Sequence, residues 1–356
     1  MSANAAFDAV ACCGAIVIVA VPATIPLLRR IHAVDVPSIR SSHSVPTPRG
    51  GGLPIAAGLL AAVAITRSGA SAAFAVAVGF FAVLGFLDDL RGLPVSRRLA
   101  LQATGSAVVA GLLVLPMHPA VAGALLAVAA AVWITGVVNA FNFMDGVNGI
   151  SGAHALIAGV AYACYAEWAG HPFLLVASLA VAVSALLFLP WNAGRARVFL
   201  GDAGSYSLGA ALAVLAADAV LRGLPVEAVL GPLALYLADT AWTLQRRIRA
   251  GERWLQAHRT HVYQQWCDAG WSHQEVTLLT GAVTILLTLL GTVSLSRDLP
   301  ARAAADLSGI AVLAAYLCSP ALFRCLGLFG KPEPYRPGGT AQPGQQSHSA
   351  LPGGSG

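Results

Sequence analysis

Five short stretches carry the groups that could do chemistry in this 356-residue chain, of which only 10% is charged. Asp88 and Asp89 are adjacent. Asp145 follows Asn139 and Asn142 at intervals of three, with Gly146, Asn148 and Gly149 just beyond, and Asp202 sits in Phe199-Leu200-Gly201-Asp202-Ala203-Gly204-Ser205 after Trp191-Asn192. His43 and Arg49 flank a Pro-Thr-Pro turn leading into Gly50-Gly51-Gly52, and His258-Arg259-Thr260-His261 completes the set. Scattered carboxylates suit a divalent cation, and arginines and histidines suit phosphate oxygens. Phosphoryl transfer asks for charge neutralisation and alignment more than covalent chemistry, so these groups suffice for it.

Each stretch also has a plainer reading. Pro46, Pro48 and the three glycines make an ordinary turn, although such glycines also let backbone approach a ligand closely. Arg91, Arg97 and Arg98 could neutralise Asp88 and Asp89. Asp202 could cap a following helix and still reach a metal. Asn139, Asn142 and Asp145 would share one helical face, which an apolar helix does not require unless it lines a polar cavity. His258 and His261 have the spacing of a zinc pair without a third ligand nearby, so anion contact is the better reading. Asp239 falls inside an apolar span and is a candidate binding residue on that ground alone, whereas Asp218 has Arg222 four residues on to pair with.

The elements that must position these groups are membrane helices. With 57% hydrophobic residues, the apolar blocks are long enough to cross about 30 Å of hydrocarbon, and a soluble enzyme is excluded. The expected fold is an all-α polytopic membrane bundle of 10–11 helices. Eleven spans are preferred, near 7–28, 53–66, 70–87, 99–117, 119–138, 151–168, 172–190, 204–221, 225–243, 274–296 and 304–328. No cationic segment precedes the first apolar run, which reads as an uncleaved helix. Fourteen arginines fall in one alternate set of connections and four in the other, which places the first set in the cytoplasm. All five polar stretches lie in that set. A single transmembrane domain is expected over 1–330, and the Pro-, Gly-, Gln- and Ser-rich residues 331–356 are expected to be disordered. The six cysteines show no CxxC spacing and read as packing residues. The basic excess suggests membrane orientation, not nucleic acid.

Taken in order over positions 35–265, the stretches resemble the polyprenyl-phosphate N-acetylhexosamine-1-phosphate transferases, the glycosyltransferase family 4 type. These include the peptidoglycan phospho-MurNAc-pentapeptide translocases and the GlcNAc-1-phosphate transferases of surface polysaccharide synthesis. The resemblance implies a bacterial inner-membrane enzyme with a cytoplasmic active site, in which a polyprenyl phosphate attacks a UDP-N-acetylhexosamine and releases UMP. It implies Mg²⁺, with Mn²⁺ as a substitute, held by Asp202 with Asp88, Asp89 and Asp145. Asp88 or Asp89 would serve as metal-proximal acid or as base toward the lipid phosphate.

By the same resemblance Asn142 and Asp145 belong to the nucleotide and metal region, Asn192 assists and Phe199 stacks on uracil, while Asn139 and Asn148 are binding candidates from their place in the same polar stretch. His43, Arg49, His258, Arg259 and His261 contact phosphate and sugar. Homodimers occur among such relatives. Peptidoglycan translocases typically carry methionine in place of Arg49 and a different histidine loop, so the sequence looks closer to the branch that starts surface glycans with GlcNAc, QuiNAc or FucNAc. A secondary transporter of ions or nucleotide sugars is the competing class, but it predicts polar groups at span centres, where only Asp239 and Asp218 approach.

Overall fold

The structure, a computed structural model, describes residues 3–37, 45–64, 66, 69–118, 120–253 and 258–327. His43, residues 254–257 of the histidine-bearing connection and the expected disordered tail lie outside the described residues.

All eleven expected spans fall on helices. They are α1 (Ala3–Arg30), α2 (Leu53–Ala64), α3 (Gly69–Arg91), α4 (Val95–Val114), α5 (Val121–Met144), α6 (Ile150–Ala169), α7 (Pro172–Asn192), α8 (Gly201–Leu221), the broken pair α9 (Val226–Leu230) and α10 (Ala234–Arg249), α12 (His273–Thr292) and α13 (Leu299–Cys325). The short α11 (Val262–Asp268) lies in the connection before α12. Seven of these, α1, α3, α5, α7, α8, α12 and α13, are long and apolar enough to cross a membrane. The chain is an all-α polytopic membrane protein. The ninth expected span is interrupted by a tight turn at Gly231–Leu233, where Pro232 has no amide to give to an α-helical ladder. Among the described residues the strands are β1 (Val34–Asp35) and β2 (Thr47–Pro48), antiparallel with Val34 opposite Pro48.

Position in the bundle follows side-chain size. In α8, 83% of the apolar stretch is buried, against 11% in α13, so α8 is the centre and α13 the rim. Its Gly, Ala and Ser residues let α3 and α5 pack closely on it, as needed where lipid removes the hydrophobic drive for association. On α5, by contrast, Val121, Leu125, Val128 and Val132 recur at helical spacing and are 65–80% exposed, a face suited only to lipid. Interhelical polar contacts add to the packing, such as the Trp133 indole N–H donating to the Ala213 carbonyl at 3.0 Å.

Successive helices run antiparallel, so the C-termini of α3, α5, α7 and α10 gather at one end with the N-termini of α2, α4, α6, α8 and α12. Hydrogen bonds link these termini, for example Gly149 N–H to Asn192 and Asn148 N–H to His273. The acids lie at this end.

Candidate active site

The residues before α2 and those before α8 are zipped together. Phe199 N–H donates to the Pro48 carbonyl at 2.8 Å, and Gly51 and Gly52 N–H donate to the Phe199 and Leu200 carbonyls at 2.9 Å. Arg49 and Phe199 are thereby bridged side by side. Of the three glycines, expected to admit a ligand, Gly52 faces backbone, Gly51 faces side chains and the Phe199 carbonyl, and Gly50 faces the Leu28 and Phe86 side chains. A Cβ on Gly52 would overlap the Gly204 backbone, and one on Gly85 the Asp202 carbonyl. Close approach is needed here to bring α2, α3 and α8 to one point.

That point is Asp89, whose side chain is fully buried. Its carboxylate accepts from Arg49 Nε at 2.8 Å and from the Asp202 and Ala203 amides at 2.9 and 3.0 Å, and an Arg49 terminal nitrogen donates to its carbonyl. Asp89 therefore satisfies the orphan amides at the start of α8 from a separate helix. Asp202 was the expected cap. It lies instead in the first turn, because Gly201 at φ +73° turns the chain so that these amides face α3. Asp88 is also buried. It accepts from the Leu93 amide at 2.7 Å, the Tyr206 hydroxyl at 2.7 Å and Arg98 at 3.4 Å. Of the neutralising arginines expected, Arg98 is thus in contact with Asp88, while Asp89 is met by Arg49.

Asp202 and Asp145, intermediate in burial as whole residues like Asp89, differ from it in their partners. Asn142 donates to Asp202 Oδ1 and to Ser205 Oγ, each at 2.9 Å, fixing the Asp202 carboxylate against α5. Asp145 is the first residue past α5. Burial, and then the Asp202 and Asp89 carboxylates, push its carboxyl up to about 8. Among the described residues no three of His, Cys, Asp and Glu stand in a finished metal-ligand geometry. The donor set still fits a hard divalent cation, which commonly takes one or two carboxylates and fills its remaining positions with water and substrate phosphate. Asp145 and Asp202 could supply that pair, and their mutual repulsion is what such an ion would relieve.

The histidine loop closes over the end of α5. The Tyr263 hydroxyl donates to the Phe143 carbonyl at 2.9 Å, and the His258 and His261 rings stack 5.0 Å apart. They do not share a helical face as the spacing suggested, because His261 is the cap residue of α11 and His258 precedes it outside any helix. His258 is half-buried and His261 buried. Burial, and then His261 and Arg247, lower the His258 imidazole to about 4, so it is neutral near pH 7. Arg259 pairs with Asp268 at 3.0 Å, with both side chains well exposed.

Three expected residues stand apart from the acids. Asn139 donates to Gln102 on α4 at 2.8 Å, one turn below Asn142. Asn148 donates to the Gly194 carbonyl at 2.7 Å, and Asn192, buried, accepts from Gly149 N–H and donates to the Val198 carbonyl. The last two tie loops together. Asp239 is fully buried beneath the histidine loop. Tyr206, Ser205, Tyr263 and Phe143 were not anticipated as site residues. For Ser205 and Tyr206 alone a signal existed, since they follow Asp202 by three and four residues and so share its side of a helix.

This fold and site define a multi-pass membrane protein with a candidate active site at one bundle end. The family model "Glycosyl transferase family 4" matches residues 71–220. A decaprenyl-phosphate N-acetylglucosaminephosphotransferase of Mycobacterium leprae is 31% identical over 71% of this chain and 74% of its own. A probable undecaprenyl-phosphate N-acetylglucosaminyl 1-phosphate transferase of Bacillus subtilis is 28% identical over 74% and 79%. A phospho-N-acetylmuramoyl-pentapeptide-transferase of Geobacillus kaustophilus is 30% identical over 78% and 93%. The chain belongs to glycosyl transferase family 4. Within it, the chain is an enzyme of the glycosyl-1-phosphate transferase type.

Proposed function

We propose that this protein transfers an N-acetylhexosamine 1-phosphate from its UDP-sugar to a polyprenyl phosphate at the cytoplasmic face of the bacterial inner membrane, releasing UMP. The product would start a lipid-linked surface glycan. The observation that carries this reading is the convergence of Asp202 and Asp145, both partly open, with the Arg49–Asp89 pair at the bundle end bearing most of the arginines. The names of the relatives support the polyprenyl phosphate acceptor and the N-acetylglucosamine donor.

An oxygen of the lipid phosphate attacks the sugar-bearing phosphorus of the donor, the bond from that phosphorus to the bridging oxygen breaks, and UMP leaves with the electron pair. Bound Mg²⁺, held by Asp202 and Asp145, would neutralise charge on the diphosphate. Asn142 orients Asp202. Arg49 and the neutral His258 offer donors to phosphate and sugar oxygens, and the Phe199 ring offers a face to uracil. A lipid phosphate is already ionised near pH 7, so Asp88, with both oxygens engaged, is not required as a base.

Purified protein, labelled UDP-GlcNAc and undecaprenyl phosphate give the test. UMP release that requires both the lipid and Mg²⁺, and is lost in Asp202→Asn with the fold intact, is the expected result. Release without lipid would mark a hydrolase and overturn it. A donor panel including UDP-MurNAc-pentapeptide, compared by kcat/KM, separates the peptidoglycan branch from the surface-glycan branch.

A further inference from the structure

Asp239 is an acid inside an apolar bundle, and its surroundings say what it is for. It has no exposed surface. Oδ1 accepts from His261 Nδ1 at 3.1 Å, the Val262 amide at 3.1 Å and the Thr243 hydroxyl at 3.2 Å, while Oδ2 accepts from the Tyr316 hydroxyl at 3.2 Å and the Tyr263 amide at 3.4 Å. The donors come from α10, α11 and its cap, and α13, three segments that otherwise touch lightly. A carboxylate this enclosed has no face left for a substrate. Its oxygens instead fix the backbone at 262–263 and select the His261 tautomer protonated on Nδ1. His261, itself buried, stacks under the half-buried His258 ring and lies 6.1 Å from the Phe143 ring. A line of contacts thus runs from the bundle interior through His261 to the half-buried His258 imidazole.

We propose that Asp239 is the positioning residue of the histidine loop, acting through His261 to set the place of His258 without touching substrate. Removing the acid would release the first turn of α11 and the His261 ring together, because the same oxygen holds both. The effect on catalysis rests on the reading above that His258 meets the sugar donor; the anchoring of the loop does not.

Two measurements on the full-length protein in detergent separate these. Amide hydrogen exchange followed on peptides covering 258–268 should quicken at least tenfold in Asp239→Asn, because an amide side chain turns one acceptor oxygen into a donor facing N–H groups. Peptides of α3 and α8 should be unchanged. Tyr316→Phe, which removes one neutral donor, should quicken the same peptides by a smaller factor, and it carries the comparison if Asp239→Asn does not fold. Unaltered exchange at 262–263 overturns the proposal. In the transfer assay, kcat/KM for the UDP-sugar should fall tenfold or more in Asp239→Asn with KM for the polyprenyl phosphate unchanged. Asp239→Asn/His261→Ala should be no slower than His261→Ala alone, whereas losses that multiply would show that Asp239 acts independently of His261 and would overturn it. Wild-type protein that shows the exchange pattern but transfers no sugar phosphate would refute the reaction, with the anchor upheld.

Discussion

Asp89, on α3, holds the beginning of α8: its two carboxylate oxygens lie 2.9 and 3.0 Å from the Asp202 and Ala203 amides. The neighbouring carboxylate of Asp202 is turned to Asn142 instead. Two acids that look alike in sequence thereby have different partners: Asp89 holds the helix start, and Asp202 carries the role in chemistry only under the proposed function.

This division predicts opposite phenotypes. Asp89→Asn turns a donor toward backbone amides and leaves Arg49 without its counter-charge, so it should cost about 2–4 kcal/mol of stability, read as a lowered Tm. Asp202→Asn can still accept from Asn142, so Tm should hold while UMP release falls by about two orders of magnitude or more. Equal Tm losses in the two variants would erase the distinction.

The close approach of α2 to α8 predicts a steric phenotype. Gly52→Ala has to force its methyl group into the Gly204 backbone. Overpacking of this kind costs about 1–3 kcal/mol, and activity should drop as Arg49 and Phe199 part. Gly79→Ala, on the same bundle with open space around its Cβ position, should be neutral or slightly stabilising by about 1 kcal/mol through helix propensity. Thermal unfolding of the two variants side by side makes the comparison.

Asp145 predicts a pH and metal dependence. Its carboxyl is raised to about 8 in the folded protein, so the folded state binds a proton there that the unfolded state releases near pH 4. Its contribution to stability is present below that pH and is lost as pH rises toward 8. His258, lowered to about 4, acts in the opposite sense, its contribution growing as pH climbs from about 4 to about 6.5. The difference in Tm between wild type and Asp145→Asn should isolate the first effect. Mg²⁺ should raise Tm more at pH 8 than at pH 5, since it binds the ionised acid. A chelator should reverse the gain.

Phe199 predicts a donor-selective defect. Its ring is partly exposed beside Arg49, and base–aromatic stacking is worth about 1–3 kcal/mol. Phe199→Ala should raise KM for the UDP-sugar by about tenfold or more and leave KM for the polyprenyl phosphate alone. A matched rise in both would remove the ring from nucleotide recognition.

Much of the architecture was legible along the chain. Block hydropathy located helical segments at all eleven expected positions, and for the seven that are long and apolar enough to cross a membrane the reason is that hydrocarbon thickness imposes a length each segment must meet by itself. Pairing of Asp218 with Arg222 could likewise be read from their i, i+4 spacing. The grouping of Asp88, Asp89, Asn142 and Asp202 at one end was accessible for a related reason, since antiparallel alternation sends every second connection to the same side.

Which of those polar groups stay open was not accessible, because that depends on partners far away in sequence. Asp89 is sealed by Arg49, 40 positions before it, and by amides 113 and 114 positions after it. Asn139 and Asn142 differ by one helical turn, yet one meets α4 and the other Asp202. The glycines announced a close approach, read along the chain as one to a ligand, whereas Gly52 meets the Gly204 backbone. The sequence alone determined a helical membrane bundle with its acids and arginines gathered at one end, since length, apolarity and charge act segment by segment. Only the tertiary structure decided that Asp89 holds the α8 amides and Arg49, that Asp202 meets Asn142 and that Asp239 ties α10, α11 and α13 together, because a buried carboxylate must find its donors wherever packing brings them.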